Sequence, residues 1–173
     1  MPASDQDNLR VSWDAYHRAI EELIVLVHRS GWQFDQVLCL ARGGLRPGDV
    51  FSRVFRVPLA ILSVSSYHKG AARKRGDLDI AHHITMPTGT LRGRVLLVDD
   101  LVDSGTTLEN VQVHLQENFP EVIEVRSAVI WYKACSVFRP NYYLHYLKNN
   151  PWIHQPFEAY DSMGLEQLIA KRE

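Results

Sequence analysis

The stretch Val95-Leu-Leu-Val-Asp-Asp-Leu-Val-Asp-Ser-Gly-Thr-Thr-Leu108 gathers more reactive groups than any other part of the chain. A short apolar run, Val95 to Val98, reads as a buried strand that ends in two adjacent carboxylates, Asp99 and Asp100. A turn, Asp103-Ser-Gly-Thr-Thr, then opens a helix over 104–118, with Leu108, Val111 and Leu115 at spacings of three and four. The first turn of a helix carries unpaired N–H groups and a partial positive charge, which together bind phosphate. Gly105 lets backbone approach a ligand closely, and Ser104, Thr106 and Thr107 add hydroxyl donors. Carboxylates cannot bind phosphate, but they accept hydrogen bonds from sugar hydroxyls or hold Mg²⁺. A phosphate cup beside carboxylates points to a sugar phosphate. An ordinary capped helix needs neither the acidic pair nor four small or hydroxyl residues in a row, and an Asp pair at the mouth of a buried strand is costly without a partner. Neither Gly-x4-Gly-Lys-Ser/Thr nor Gly-x-Gly-x-x-Gly occurs, so a Walker A loop and a nicotinamide dehydrogenase fingerprint are both absent.

The elements that must hold these residues follow from periodicity. Trp13, Tyr16, Ile20, Leu23, Ile24 and Val27 fall on one helical face, with Ser12 as N-cap and Gly31 as terminator. Gln36 to Ala41 reads as a buried strand stopping at Arg42-Gly-Gly, followed by a helix over 45–56 and a second strand over 57–64. Ile123 to Tyr132 is a fourth strand, Tyr142 to Leu147 a fifth, and 161–171 a short helix. Strands that are apolar on both faces and alternate with helices predict an α/β fold: one domain over 1–173 with an open, mainly parallel five-stranded sheet flanked by helices. Ligands of such sheets bind at the carboxyl ends of the strands. Arg42-Gly-Gly, Asp99-Asp100 and Lys133 all follow strands. The polar stretch over 66–90 breaks the alternation and is long enough to be functional.

On these residues the chain resembles the type I phosphoribosyltransferases. Val95 to Thr107 is similar to their phosphoribosyl-pyrophosphate signature, and Ala41-Arg-Gly-Gly-Leu-Arg-Pro-Gly48 to their pyrophosphate loop. Val64-Ser-Ser-Tyr67 resembles the start of their mobile catalytic loop. Trp131-Tyr-Lys133 and Trp152-Ile-His-Gln-Pro-Phe-Glu158 narrow the likeness to bacterial xanthine-guanine and archaeal hypoxanthine-guanine phosphoribosyltransferases. The resemblance implies transfer of phosphoribosyl to a 6-oxopurine in purine salvage, with Mg²⁺. By position it assigns Arg42 and Gly43 to pyrophosphate, in a loop that often holds a non-proline cis peptide. It assigns Asp99 and Asp100 to the ribose hydroxyls, Asp100 being nearest the metal, and Ser104, Gly105, Thr106 and Thr107 to the 5′-phosphate. Asp103 becomes the candidate general base or acid near N7, and Lys133 the donor to the 6-oxo group. Trp152, Ile153 and Glu158 belong to a small C-terminal hood over about 148–173 that contacts the base. Residues 66–90 become a mobile catalytic loop, and a homodimer or homotetramer is expected. His154 stands where an acidic residue is expected, which leaves the preference among xanthine, guanine and hypoxanthine open.

Composition sets the outer bounds. The chain has 173 residues, with 19 Lys plus Arg against 20 Asp plus Glu, a formal charge of −1. That balance argues against a dedicated nucleic-acid binder. No apolar run approaches the roughly 20 residues of a membrane helix, and the polar start lacks a secretory pattern, so a cytoplasmic chain is expected. Cys39 and Cys135 lie in apolar segments and read as buried, reduced thiols. Trp13 and Tyr16 read as core aromatics. His82-His83 lacks a third metal ligand at suitable spacing and reads as surface. Lys69, Arg73, Lys74 and Arg75 are a basic cluster able to fold over pyrophosphate. That cluster is also the local support for two alternatives, a nucleotide-sensing regulator with RNA contact and a solvated loop. A phosphoribosyltransferase for another base is a further alternative, which Lys133 and the Trp152 segment disfavour.

Overall fold

The computed structural model describes residues 8–66, 78–81, 83–87 and 89–172. In chain order it contains β1 (Asn8–Arg10), α1 (Trp13–Arg29), β2 (Gln36–Ala41), α2 (Leu45–Phe55), β3 (Leu59–Ser66) and β4 (Leu78–Ile80). There follow β5 (Gly93–Val102), α3 (Thr106–Asn118), β6 (Val122–Lys133), β7 (Tyr142–Leu147), β8 (Trp152–His154), α4 (Ala159–Ser162) and α5 (Leu165–Ala170). The main sheet has the order β4-β3-β2-β5-β6-β7. Its five long strands run parallel, as expected, and β4 adds a short antiparallel edge, with Val64 opposite Ile80 and Ser66 opposite Leu78. No helix among the described residues is long and apolar enough to cross a membrane.

Alternation along the strands explains the layering. Leu96 and Val98 of β5, with Ala128 and Ile130 of β6, face the stripe Tyr16, Ile20, Leu23 and Val27 of α1 and Phe51 of α2. Their neighbours Val95, Leu97 and Val129 pack on the other face against Leu108, Val111 and Leu115 of α3. Both faces are therefore apolar, the pattern of a sheet covered on two sides. Ser12 caps α1 as expected, accepting from the Ala15 N–H at 3.2 Å.

The chain leaves β2 toward β3 on one side and later returns to β5 and β6 on the other. The two directions part between β2 and β5, the place where open α/β sheets bind ligands. Pairing between them ends at Cys39 opposite Val98. β5 continues alone along β6 to Val102 opposite Tyr132.

A separate parallel pair joins β1 to β8, with Asn8 opposite Trp152 and Arg10 opposite His154. The segment after β8 turns into α4 and α5, so the helix expected over 161–171 is two short pieces instead of one.

Two expectations about burial need correction. Cys135 is exposed, because β6 stops at Lys133 and the thiol lies in the turn beyond it. Trp13 is 37% exposed, since it begins α1 and meets Phe157 and Arg46 at the rim rather than in the core. Cys39 is buried as expected, and desolvation pushes its thiol up to about 11. Burial and the neighbouring Asp103 also raise Cys135, though it stays open to solvent. In the native protein a thiol reagent should therefore modify one cysteine, faster as pH rises toward 9, and Cys135→Ala should abolish the reaction. Modification of two cysteines without denaturant would contradict this burial pattern. The cluster Lys69 to Arg75 and His82 lie outside the described residues, while His83 is exposed as expected.

Candidate active site

A cleft of about 620 Å³ opens at the divergence of β2 and β5. Arg42 and Gly43 form one wall, Asp99, Asp100 and Thr107 another, and Gln155, Glu158 and Asp161 a third. The sequence places the acid pair at the end of β5, but the strand runs on past it to Val102. The carboxylates line the cleft because β2 and β5 stop pairing at Cys39 and Val98, just before them, not because β5 has ended.

Asp99 and Asp100 sit in an environment that resists charge. Desolvation pushes both above the ordinary carboxylate range, and for Asp99 the charge of Asp100 adds to the effect. The Asp100 N–H donates to Asp99 Oδ1 at 2.9 Å, and the Gln155 amide donates to Asp100 Oδ2 at 2.7 Å. Gly43 lies flat on the same carboxylate, where a Cβ would stand 2.5 Å from Asp100 Oδ1 and 2.8 Å from Oδ2. A side chain there would have to displace the Asp100 carboxylate. A cis peptide joins Ala41 to Arg42 in this loop, and the Arg42 guanidinium donates to Asp161 Oδ1 of α4 at 3.0 Å.

Beyond β5 the chain turns through Asp103 and Ser104 into α3. Gly105 stands at the N-cap with φ of 85°, and its α-carbon packs against Ser136 and Phe138, where any side chain would collide. As a glycine it has no side chain to occupy the first-turn N–H groups. Ser104 Oγ donates to Thr106 Oγ1 at 3.2 Å, so the hydroxyls already form a rim around that turn.

A second group lies next to this cup. Lys133 ends β6 and is 5% exposed, with its ammonium 3.2 Å from Asp103 Oδ2. The ring of Trp152 is 6.0 Å from the same ammonium, and Cys135 Sγ is 3.6 Å from Asp103 Oδ1. On β8, Ile153 is buried and Trp152 is 59% exposed. His154 Nδ1 and Glu158 Oε2 stand 3.2 Å apart.

The structure thus gathers Arg42, Gly43, Asp99, Asp100, Thr107 and Glu158 around one cleft. Asp103, Ser104 and Gly105 form the turn before α3 and Thr106 its first residue, and Lys133 and Trp152 form an adjoining group linked through Asp103. Sequence reasoning passed over Gln155, although it lies inside the stretch Trp152 to Glu158, and Asp161 and Arg46, which also line the cleft. Among the described residues no group of three or more His, Cys, Asp or Glu assembles a complete metal shell. Two buried carboxylate oxygen sources do fit Mg²⁺, which commonly takes one or two carboxylates and completes its shell with water and phosphate.

The phosphoribosyl transferase domain model matches residues 12–162, and the chain belongs to that family. A xanthine-guanine phosphoribosyltransferase of Idiomarina loihiensis is 29% identical over 152 residues, covering 87% of this chain and 86% of its own. The enzyme of the same name from Roseobacter denitrificans is 28% identical over 173 residues, covering 91% and 93%. The crystal structure of a purine phosphoribosyltransferase from Pyrococcus horikoshii superimposes with a TM-score of 0.71 at 28% identity, covering 87% of this chain and 93% of that one.

Proposed function

We propose that this protein transfers the phosphoribosyl group of phosphoribosyl pyrophosphate to N9 of a 6-oxopurine, releasing pyrophosphate, as a step of purine salvage. One observation carries the reading: the Asp99–Asp100 pair and the Arg42–Gly43 loop line one cleft, in contact at Gly43 and Asp100, and the Lys133–Asp103–Trp152 group adjoins it. Sugar, diphosphate and base each have a chemically suited surface. The names of the relatives from Idiomarina, Roseobacter and Pyrococcus support the purine assignment.

In the reaction the C1–N9 bond forms as the bond from C1 to the pyrophosphate oxygen breaks. Positive charge grows on the ribose and negative charge on the leaving group. Asp99 and Asp100 accept from the ribose hydroxyls and stabilise the developing sugar cation. Arg42 meets the leaving oxygens, for which it must exchange Asp161. The first turn of α3 with Ser104, Thr106 and Thr107 holds the 5′-phosphate, for which the Thr106 N–H gives up Ser104 Oγ. Asp100, with Asp99 beside it, would hold Mg²⁺, which when bound would further neutralise the diphosphate. Lys133 donates to the 6-oxo group, and Asp103 takes or gives the purine proton near N7. Trp152, the Ile153 backbone and Glu158 border the base.

Because an ammonium only donates, a 6-amino purine is a poor fit. Pyrophosphate release measured with hypoxanthine, guanine, xanthine, adenine, uracil and orotate should show turnover with at least one 6-oxopurine, about 10²-fold or more above adenine. Absence of turnover with all three 6-oxopurines would overturn the assignment. A dimer or tetramer is part of the same reading, and light scattering on the purified chain checks it.

A further inference from the structure

We propose that Gln155 is a positioning residue for the acid pair, which it holds through a neutral hydrogen bond that links the C-terminal segment to the sugar site. The inference rests on the phosphoribosyl-transfer reading above and adds to it a residue that contacts Asp100 rather than the reacting atoms.

The backbone of Gln155 is fixed on both sides. Upstream, β8 is paired to β1 and its last carbonyl, of His154, accepts from the Val11 N–H at 3.0 Å. Downstream, the Glu158 N–H donates to the Gln155 carbonyl at 3.0 Å, closing the turn before α4. From this anchored point the side chain reaches across the cleft, and its amide N–H meets Asp100 Oδ2 at 2.7 Å. The distance is short for a neutral donor on a carboxylate, and Asp100 is 8% exposed, so water competes weakly for that oxygen.

Two features show that the amide serves the carboxylate and is not merely packed beside it. The other end of the amide, Oε1, is buried and has no hydrogen-bond partner among the described residues. Turning the group over would point that oxygen at the carboxylate and lose the bond, so Asp100 dictates the orientation. A neutral donor also fixes the Asp100 side chain without cancelling its charge. A lysine or arginine in the same place would pair with the carboxylate and compete with the ribose hydroxyls. With Gly43 pressed on one side of the carboxylate and Gln155 on Oδ2, Asp100 is left one orientation toward the cleft.

The base-binding side does not depend on this bond, because β8 is held by β1 and Ile153 is seated in the core. Loss of the amide should therefore act on one substrate only. Gln155→Met keeps the length and packing of the side chain but removes donor and acceptor. We expect its KM for phosphoribosyl pyrophosphate to rise about tenfold and kcat to fall by about tenfold or less, with the KM for guanine within twofold of wild type. Direct titration with phosphoribosyl pyrophosphate and Mg²⁺, followed by tryptophan fluorescence, should show the same loss in Kd. Gln155→Glu, of equal size but without an N–H, should weaken that binding at least as much and serves if the Met variant unfolds. Unchanged KM and Kd for phosphoribosyl pyrophosphate in a folded variant would overturn the proposal. An equal rise in both substrates' KM would also overturn it, since that is the mark of a loosened segment. Wild-type chain that turns over no 6-oxopurine would overturn the functional reading instead, and the Kd comparison would still decide the role of Gln155.

Discussion

Replacing Asp103 by Asn should lower kcat by about 10²–10⁴ while the Kd for guanosine monophosphate stays within about threefold of wild type. Asp103 is the one carboxylate of its loop that stands against a buried ammonium, 3.2 Å from Lys133. The substitution keeps the shape of the side chain and an oxygen able to accept from that ammonium, but it removes the group's capacity to take up and return a proton. Binding that relies on the acceptor alone should survive. Stopped-flow turnover and nucleotide titration on the same preparation separate the effects. Equal losses in kcat and nucleotide affinity would show Asp103 to be a binding residue only.

Lys133→Met should reduce kcat/KM for 6-oxopurines by about 10²–10³ and erase most of the preference over adenine. Losing the charged donor and leaving the 6-oxo group without a partner costs roughly 3 kcal/mol or more, which corresponds to that range. Here the loss should appear in substrate recognition more than in stability. The remaining partner, Asp103, has a side chain 58% exposed and rehydrates, whereas the thioether fills the volume of the buried lysine stem. Comparing hypoxanthine with adenine in the variant is the decisive measurement. A 6-oxo preference that survives intact would mean that another group reads position 6.

Much of this site was legible because its signals are local. The acidic pair, the hydroxyl-rich turn and Gly105 lie within one short stretch, and a strand followed by a helix has few ways to arrange them. Ser12 as cap, β2 as a buried strand and the bounds of β7 follow from composition and period in the same way. What the sequence hid depends on distant partners. The mouth of the cleft is set by where β2 leaves β5, so Val95 to Val98 looked like a whole strand when it is the shared part of a longer one. β1 and β8 are three residues each, too short for any periodicity, and each is a strand only because the other lies beside it. The bonds from Gln155 to Asp100 and from Arg42 to Asp161 join residues 55 and 119 positions apart. No spacing rule reaches that far. Cys135 misled for a related reason: apolar neighbours announced a strand, and the strand ended two residues too early to bury it.

The pairing of β1 with β8 also sets an order in time. Asn8 acquires its neighbour Trp152 only after nearly all of the intervening chain has left the ribosome. At roughly 5–20 residues per second, that leaves the first strand unpaired for on the order of ten seconds. The phosphate cup and the acid pair can assemble with the sheet during this interval. The wall that β8 forms beside the proposed base site cannot, so a nascent chain completes the proposed phosphate site before that wall. The strand pair that borders the proposed base site is thereby the last part of it to form.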